Sequence, residues 1–299
     1  MKIKLMQFPV LFLLLFALVS VAEYKNSLDI KSNKILESTI DEKVKKLNRY
    51  TFANETLPFY LPEVRKSFRT QLKHVAQTGW HSHYLLKESY KLFPAIEKIL
   101  HENGVPSDMK YIAVCESALD NSSVSSQKAG GLWQMMKQTA IEQGLEVNNE
   151  VDERYNIEKS TIAACKLLKK DRDFFGSWSE AAVAYNMGSV ALYKSQRMQK
   201  TKEIHELVLN KETRNYITRA LAYKEFMENA PFYGQPFPKK LVFAYDTIEI
   251  TKSIPDLKSF CTKKRWNFET IKKDNQWILG NQLTIKKTNQ HYKILVRKY

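Results

Sequence analysis

The sequence has 299 residues, with 47 Lys+Arg against 32 Asp+Glu and a net charge of +15. At 43% hydrophobic and 26% charged residues it is neither a disordered tail nor a multi-span membrane protein. Nine Gly and nine Pro are too few for a turn-rich β-barrel, and the positive surplus asks for an anionic partner: nucleic acid, membrane surface or an acidic polymer.

Lys2 and Lys4 precede an apolar run from Phe8 to Val19, and Ser20-Val21-Ala22 offers the small residues a signal peptidase reads. Residues 1–22 are therefore read as a secretory signal peptide, too short and wrongly flanked for a transmembrane helix. No cysteine stands near the cleavage point to carry a lipid. The basic character survives removal of this segment. Export argues against an intracellular nucleic-acid role, so no nucleic-acid partner is expected.

Glu23–Asn33 is a polar leader, and Asn33–Asn48 then places Ile35, Leu36, Ile40, Val44 and Leu47 near helical spacing. Pro58 and Pro62 bracket a turn, after which Glu63–Thr78 and His83–Asn103 are predicted helices. Gly104 to Asp108 breaks the pattern and supplies a helix cap. Met109–Leu119 is apolar nearly all round, which predicts a buried helix. Asp120–Gly131, rich in Ser, Asn and Gly, is a loop. Helix is predicted again over Leu132–Gln143, Ser160–Phe174, Ser179–Met187 and Glu212–Glu228. From Pro231 the texture changes: Leu241–Thr251, Gln282–Lys286 and His291–Lys298 alternate as strands do, around two short helical stretches, Asp256–Lys264 and Asn267–Asp274. The first two strands and the two helices give a β-α-α-β order, with His291–Lys298 as an extra strand. A mainly α fold is expected, with a helical segment over 23–104, a catalytic domain over 105–232 on which it packs, and a small α/β module over 240–299.

Cys115, Cys165 and Cys261 make an odd count, and the first two sit in apolar helical stretches, so free buried thiols are expected. There is no CxxC and no HExxH, and His81-Ser82-His83 alone is weak; neither a metal nor a cofactor is expected.

The chemistry centres on the buried helix. Ile112, Glu116 and Leu119 share one stripe, so Glu116 takes a place the pattern would give to an apolar side chain. Such a carboxylate must pair, hydrogen-bond or hold its proton, and an apolar setting is how an enzyme obtains a general acid near neutral pH. A glutamate at the partly exposed end of its helix remains the alternative. Glycosidases usually need two carboxylates. Asp120 lies on the same face but is expected to shape the following loop, and no second catalytic acid emerges.

Glu116-Ser117-Ala118-Leu119, then Ser125, then Ala129-x-Gly131-Leu132-Trp133-Gln134 resembles the core of lytic murein transglycosylases, closest to their membrane-bound D type within the soluble-lytic-transglycosylase, goose-type lysozyme-like fold. The resemblance continues in order through Val151-Asp152-Glu153-Arg154, Ser160-Thr161-x-Ala163-Ala164, Trp178, Ala184-Tyr185-Asn186-x-Gly188 and Glu212-Thr213-Arg214-Asn215-Tyr216-Ile217, covering about 105–225. It implies a single glutamate, Glu116, acting as acid and then base on peptidoglycan glycan strands, which explains the missing second carboxylate. The resemblance further implies that Ser125 and Gln134 bond the sugar, with Met136 on the same wall. Tyr185 and Asn186 would face Glu116, and Glu212 and Tyr216 would form the far side of the cleft. Asp152 and Arg154 would be an internal ion pair and Trp178 a core aromatic.

There are departures. Lys137 stands where many relatives have Pro, Asn156 replaces a frequent Asp, and Cys115 beside the acid is unusual. The C-terminal module resembles a degenerate LysM, with Asp274-Asn275 in place but Ser253-Ile254-Pro255 instead of the usual Gly-Asp turn. It is read either as a glycan-binding module or as a cap packed on the helical domain. A monomeric peptidoglycan lytic transglycosylase, periplasmic or associated with the outer membrane or cell wall, is the expected protein. A hydrolase of the goose-type lysozyme kind and a non-catalytic wall-binding protein stay open.

Overall fold

The computed structural model describes residues 32–47, 50–77, 79–239, 244–288 and 290–298. The expected signal peptide and most of the polar leader lie outside these. A first helix, α1 (32–46), falls in an N-terminal unit that ends at Asn48, and Ile40 and Val44 are its buried residues.

The second unit, Arg49–Tyr299, opens with a hairpin that the sequence reading missed. Strands β1 (Tyr50–Phe52) and β2 (Glu55–Leu57) pair antiparallel across Ala53 and Asn54. Both turn residues have positive φ, as a two-residue hairpin requires. Pro62 starts α2 (Pro62–Gln77), where its missing N–H costs nothing. Then follow α3 (Gly79–Glu102), a short turn of 3-10 helix and α4 (Lys110–Ser117).

The segment after α4 departs from expectation. Helix was predicted from Leu132, but only α5 (Lys137–Glu142) forms. Leu132, Trp133 and Met135 are buried in irregular backbone, not along a helical face. Their apolar character plugs the core while a bridge between Gly130 and Met135 closes the loop.

Three longer helices follow. In α6 (Ile157–Phe175), Asn156 caps the start and Gly176, at φ +106°, ends it. In α7 (Trp178–Met187), Ser177 caps and Glu180 bonds back to its hydroxyl. The Glu55 carboxylate also accepts from the Trp178 and Ser179 amides at 2.5 and 2.8 Å, where the helix dipole favours an anion. The unpredicted α8 (Ser189–Gln199) buries only Leu192. The expected helix from Glu212 is broken at Asn215 into α9 (Lys211–Arg214) and α10 (Tyr216–Glu228). Helix α10 packs on α2, α4 and α7, and α6 packs on α3 and α7, which puts α10 and α4 at the centre of the core.

The C-terminal module runs β3 (Tyr245–Ile250), α11 (Leu257–Lys264), α12 (Phe268–Asp274) and β4 (Tyr292–Arg297). The β-α-α-β order holds, but the second strand is 292–297, not 282–286, and it pairs antiparallel with β3, Tyr245 opposite Arg297 and Ile250 opposite Tyr292. Residues 282–286 make one isolated bridge, Leu283 with Ile254. Their other partners are side chains, including the carboxylate of Glu150.

Candidate active site

Glu116 sits one residue from the end of α4. The helix stops because Ala118 and then Leu119 adopt positive φ, 52° and 63°, a conformation that non-glycine residues hold only against strain. The chain therefore turns sharply away, leaving the Glu116 carboxyl at the helix mouth and burying Leu119. Ser117, the next residue, anchors the loop, its hydroxyl within hydrogen-bond reach of the carbonyls of Ala113 and Leu132, at 3.1 and 2.8 Å.

The phenol of Tyr216, fully buried at the start of α10, donates to Glu116 Oε1. Burial pushes the Glu116 carboxyl above the usual carboxylate range. The Tyr216 hydrogen bond and the Arg219 guanidinium pull it back in part, and the charge of Glu212 adds to the rise. Desolvation is the largest of these causes. The same burial, with Glu116 beside them, raises the Tyr216 and Tyr185 phenols well above their ordinary value. Both are hydrogen-bond donors at neutral pH, not phenolates.

Tyr185, near the end of α7, lies close enough to feel the charge of Glu116, but its hydroxyl donates to the Trp133 carbonyl at 2.7 Å. The Trp133 ring meets the Tyr185 ring edge-on at 6.4 Å, and its indole N–H reaches Thr161 Oγ1 on α6 at 3.0 Å. Trp133 thus ties the loop to α6 and α7. Gln134 has φ +45°, and its amide nitrogen donates to the carbonyls of Ser123 and Gly131 at 3.0 and 2.9 Å. Met136 is 45% exposed. Ser125 Oγ accepts from the Ala129 amide at 3.0 Å, closing the tip of the loop.

Asn186 and Glu212 come together: the Asn186 amide donates to Glu212 at 3.5 Å and accepts from Thr213 Oγ1 at 2.9 Å. The Glu212 side chain is 68% exposed, 4.0 Å from Arg219. Of the expected residues, Glu116, Tyr216, Tyr185, Asn186 and Glu212 converge from α4, α7, α9 and α10. Gln134, Met136 and Ser125 line the loop that follows the acid. Asp120 shapes that loop, its carboxylate accepting from the Ser122 amide and hydroxyl at 2.9 and 2.6 Å.

Two positions of the loop are fixed from outside. Gly131 has φ +78°, and a Cβ there would lie 2.1 Å from the Arg154 carbonyl oxygen, so only glycine fits. The Arg154 guanidinium forms a buried fork on Asp152, Nη2 to Oδ2 at 2.7 Å and Nε to Oδ1 at 3.0 Å. It also donates to the carbonyls of Lys128 and Met135 at 2.8 and 3.1 Å. Trp178 differs from expectation. It is half-buried, at a surface pocket of about 520 Å³ beside Lys169, Arg172 and His101, with the Arg172 guanidinium 5.9 Å from its ring.

Sequence reasoning missed Arg219. Its guanidinium lies 5.2 Å from the Tyr216 ring centre, and its Nε is buried without a hydrogen-bond partner among the described residues. The signal available was its spacing, three residues after Tyr216 on one helical face. Cys115, next to the acid, is a free thiol pushed up to about 12 by burial. Cys165 and Cys261 are also free, and both are buried.

Known proteins resemble this chain. Membrane-bound lytic murein transglycosylase D of Escherichia coli strain K12 is 25% identical over 195 residues, which is 63% of this chain and 43% of the relative. The protein of the same name from Escherichia coli O6:H1 strain CFT073 gives the same figures. The chain thus spans under half the length of the curated relatives it matches. The family model for the transglycosylase SLT domain matches residues 93–208, the stretch that holds Glu116 and its loop, and that for the soluble lytic transglycosylase C-terminal LysM-like domain matches residues 246–298.

Proposed function

We propose that the protein is a peptidoglycan lytic transglycosylase that cuts the β-1,4 bond between N-acetylmuramic acid and N-acetylglucosamine and leaves 1,6-anhydro-muramyl ends. The observation that carries this is the setting of Glu116: a half-buried carboxyl with a raised proton affinity, hydrogen-bonded by the buried Tyr216, near the end of the central helix. The carboxyl near it, Glu212, is exposed and held by Asn186.

In the proposed reaction protonated Glu116 gives its proton to the glycosidic oxygen as the C1–O4 bond breaks. The muramyl C6 hydroxyl then attacks C1 of its own ring, and its proton returns to the Glu116 carboxylate. One bond forms, one breaks, and no water is consumed. An internal nucleophile needs no second carboxylate to direct water, only a ring held in the reactive conformation. Tyr216 would keep Glu116 aimed and steady its transient charge. With the amide nitrogen of Gln134 committed to two carbonyls, its oxygen would face sugar donors. Ser125 and Met136 would line the same wall, and Tyr185, Asn186 and Glu212 the other.

The basic surface would hold the carboxylate-bearing wall polymer. Export to the periplasm, free or at the outer membrane, follows from the N-terminal sequence pattern; among the described residues no helix is long and apolar enough to cross a membrane. The test is digestion of isolated sacculi with wild type and Glu116→Gln. Wild type should release anhydro-muramyl fragments and the variant almost none. Equal release by both would remove Glu116 from the mechanism.

A further inference from the structure

The C-terminal module does more than follow the helical domain; its core is shared with it. Leu257, Ile271, Trp277, Leu283 and Ile294 pack with Val151, which belongs to the segment just before the Asp152–Arg154 fork. Backbone pairing joins the two: Asp152 N–H donates to the Trp277 carbonyl at 2.9 Å, Leu279 N–H to that of Glu150 at 2.8 Å, and Val151 bridges Ile278. The Glu150 carboxylate clamps the Thr284 amide and hydroxyl and the Gln282 side chain, at 3.0, 3.1 and 2.7 Å. Glu146 accepts from Tyr292 and Gln290 at 2.9 and 3.1 Å.

Two routes lead from this junction to the loop that follows Glu116. Through Asp152, the module fixes Arg154, whose guanidinium holds the Lys128 and Met135 carbonyls. More directly, Gln276 Oε1 accepts from Asn121 Nδ2 at 2.6 Å. Asn121 lies five residues beyond Glu116, and the same amide donates to the Tyr155 carbonyl at 2.8 Å and accepts from the Leu132 amide at 3.2 Å. One side chain therefore pins the start of the loop to its end.

We infer that the C-terminal module is a brace for the substrate-facing loop 120–136, with Gln276 and the Glu150 clamp as its contact points and Asn121 and Arg154 as positioning residues. The module's face around 276–284 serves the catalytic loop. An event that lifts it would loosen Gln134 and Met136 and slow the enzyme without touching Glu116. The consequence for activity rests on the lytic transglycosylase reading; the mechanical coupling does not.

The experiment uses the full chain and two readouts, amide hydrogen exchange and turnover of a soluble glycan. The double variant Glu150→Ala/Gln276→Ala is compared with Gln276→Glu, which keeps an acceptor oxygen toward Asn121. In the double variant, amides of 120–136 should exchange faster together with those of 277–284, and kcat should fall about tenfold, as expected when reacting groups lose their alignment. Gln276→Glu should stay close to wild type in both readouts. The inference is overturned if the junction loosens while exchange in 120–136 stays as in wild type. It is also overturned if neither segment changes, or if turnover falls only in proportion to lost folded protein. Were wild type itself inactive on glycan, the functional reading would fail, and the exchange data would still decide the brace.

Discussion

The hydroxyl of Tyr216, at the start of α10, donates to the carboxyl of Glu116 at the end of α4, across a hundred residues of sequence. The two helices pack directly, so this bond ties the half-buried acid to the central helix pair. In Tyr216→Phe the donor is lost and the ring stays. The bond lowers the proton affinity of Glu116, so its removal should move the basic limb of the pH–rate profile to higher pH. The net loss of one such bond is about 1–1.5 kcal/mol, close to a tenfold change in rate if the bond acts in the transition state. A pH profile of sacculus lysis for both proteins checks this. An unmoved basic limb would mean that the bond does not tune the acid.

Glu116→Gln separates catalysis from stability. Burial raises the folded-state proton affinity of Glu116 above that of an unfolded glutamate, so its protonated form favours folding. That stabilisation is complete below the unfolded pKa and is lost as pH rises through the folded pKa. The neutral Gln escapes this loss. The variant should melt a few degrees higher than wild type at neutral and alkaline pH and at the same temperature in acid. Its lytic rate should fall by about 10²–10⁴-fold, the usual contribution of a general acid. Melting curves across pH and a lysis assay measure the two effects independently.

Gly131→Ala should destabilise the loop. The added methyl would sit 2.1 Å from backbone, at a φ of +78° that alanine rarely adopts. A cost of about 2–3 kcal/mol is expected from strain of this kind, read as a lower denaturant midpoint. A change below about 0.5 kcal/mol, typical of a neutral surface site, would show that the Arg154 carbonyl yields easily.

Arg154→Met leaves the Asp152 carboxylate buried without its partner and releases two loop carbonyls. Breaking one side of a buried pair costs about 3–5 kcal/mol. Replacing both, as in Asp152→Leu/Arg154→Met, should recover part of that stability. It should not recover activity, because the carbonyls of Lys128 and Met135 would still lack their donor. Chemical denaturation of single and double variants tests the first part and sacculus lysis the second.

Much of this was legible in the sequence, and the reasons differ by element. Glu116 stood out because a carboxylate interrupted an apolar stripe, and a helix's own period is enough to reveal that. Its hydrogen bond to Tyr216 was not legible, because nothing local links residues a hundred positions apart. Leu132 and Trp133 read as a helical start because they are apolar. They are buried in irregular loop, where the ordering comes from Ser117, Asn121 and Thr161. Helix α8 was missed because one buried residue, Leu192, leaves no periodic stripe. Residues 282–286 alternate like a strand, but the amides of Thr284, Ile285 and Lys286 are taken by Glu150, Ser253 and Gln290 side chains. The pairing with β3 therefore falls to 292–297.

The most direct measurement of the central claim is digestion of sacculi in ¹⁸O-labelled water, followed by mass spectrometry of the released muramyl ends. If the C6 hydroxyl is the nucleophile, the ends are lighter than reducing ends by one water and carry no ¹⁸O. Reducing muramyl ends labelled with ¹⁸O would contradict it, because water would then have been activated at the same scaffold.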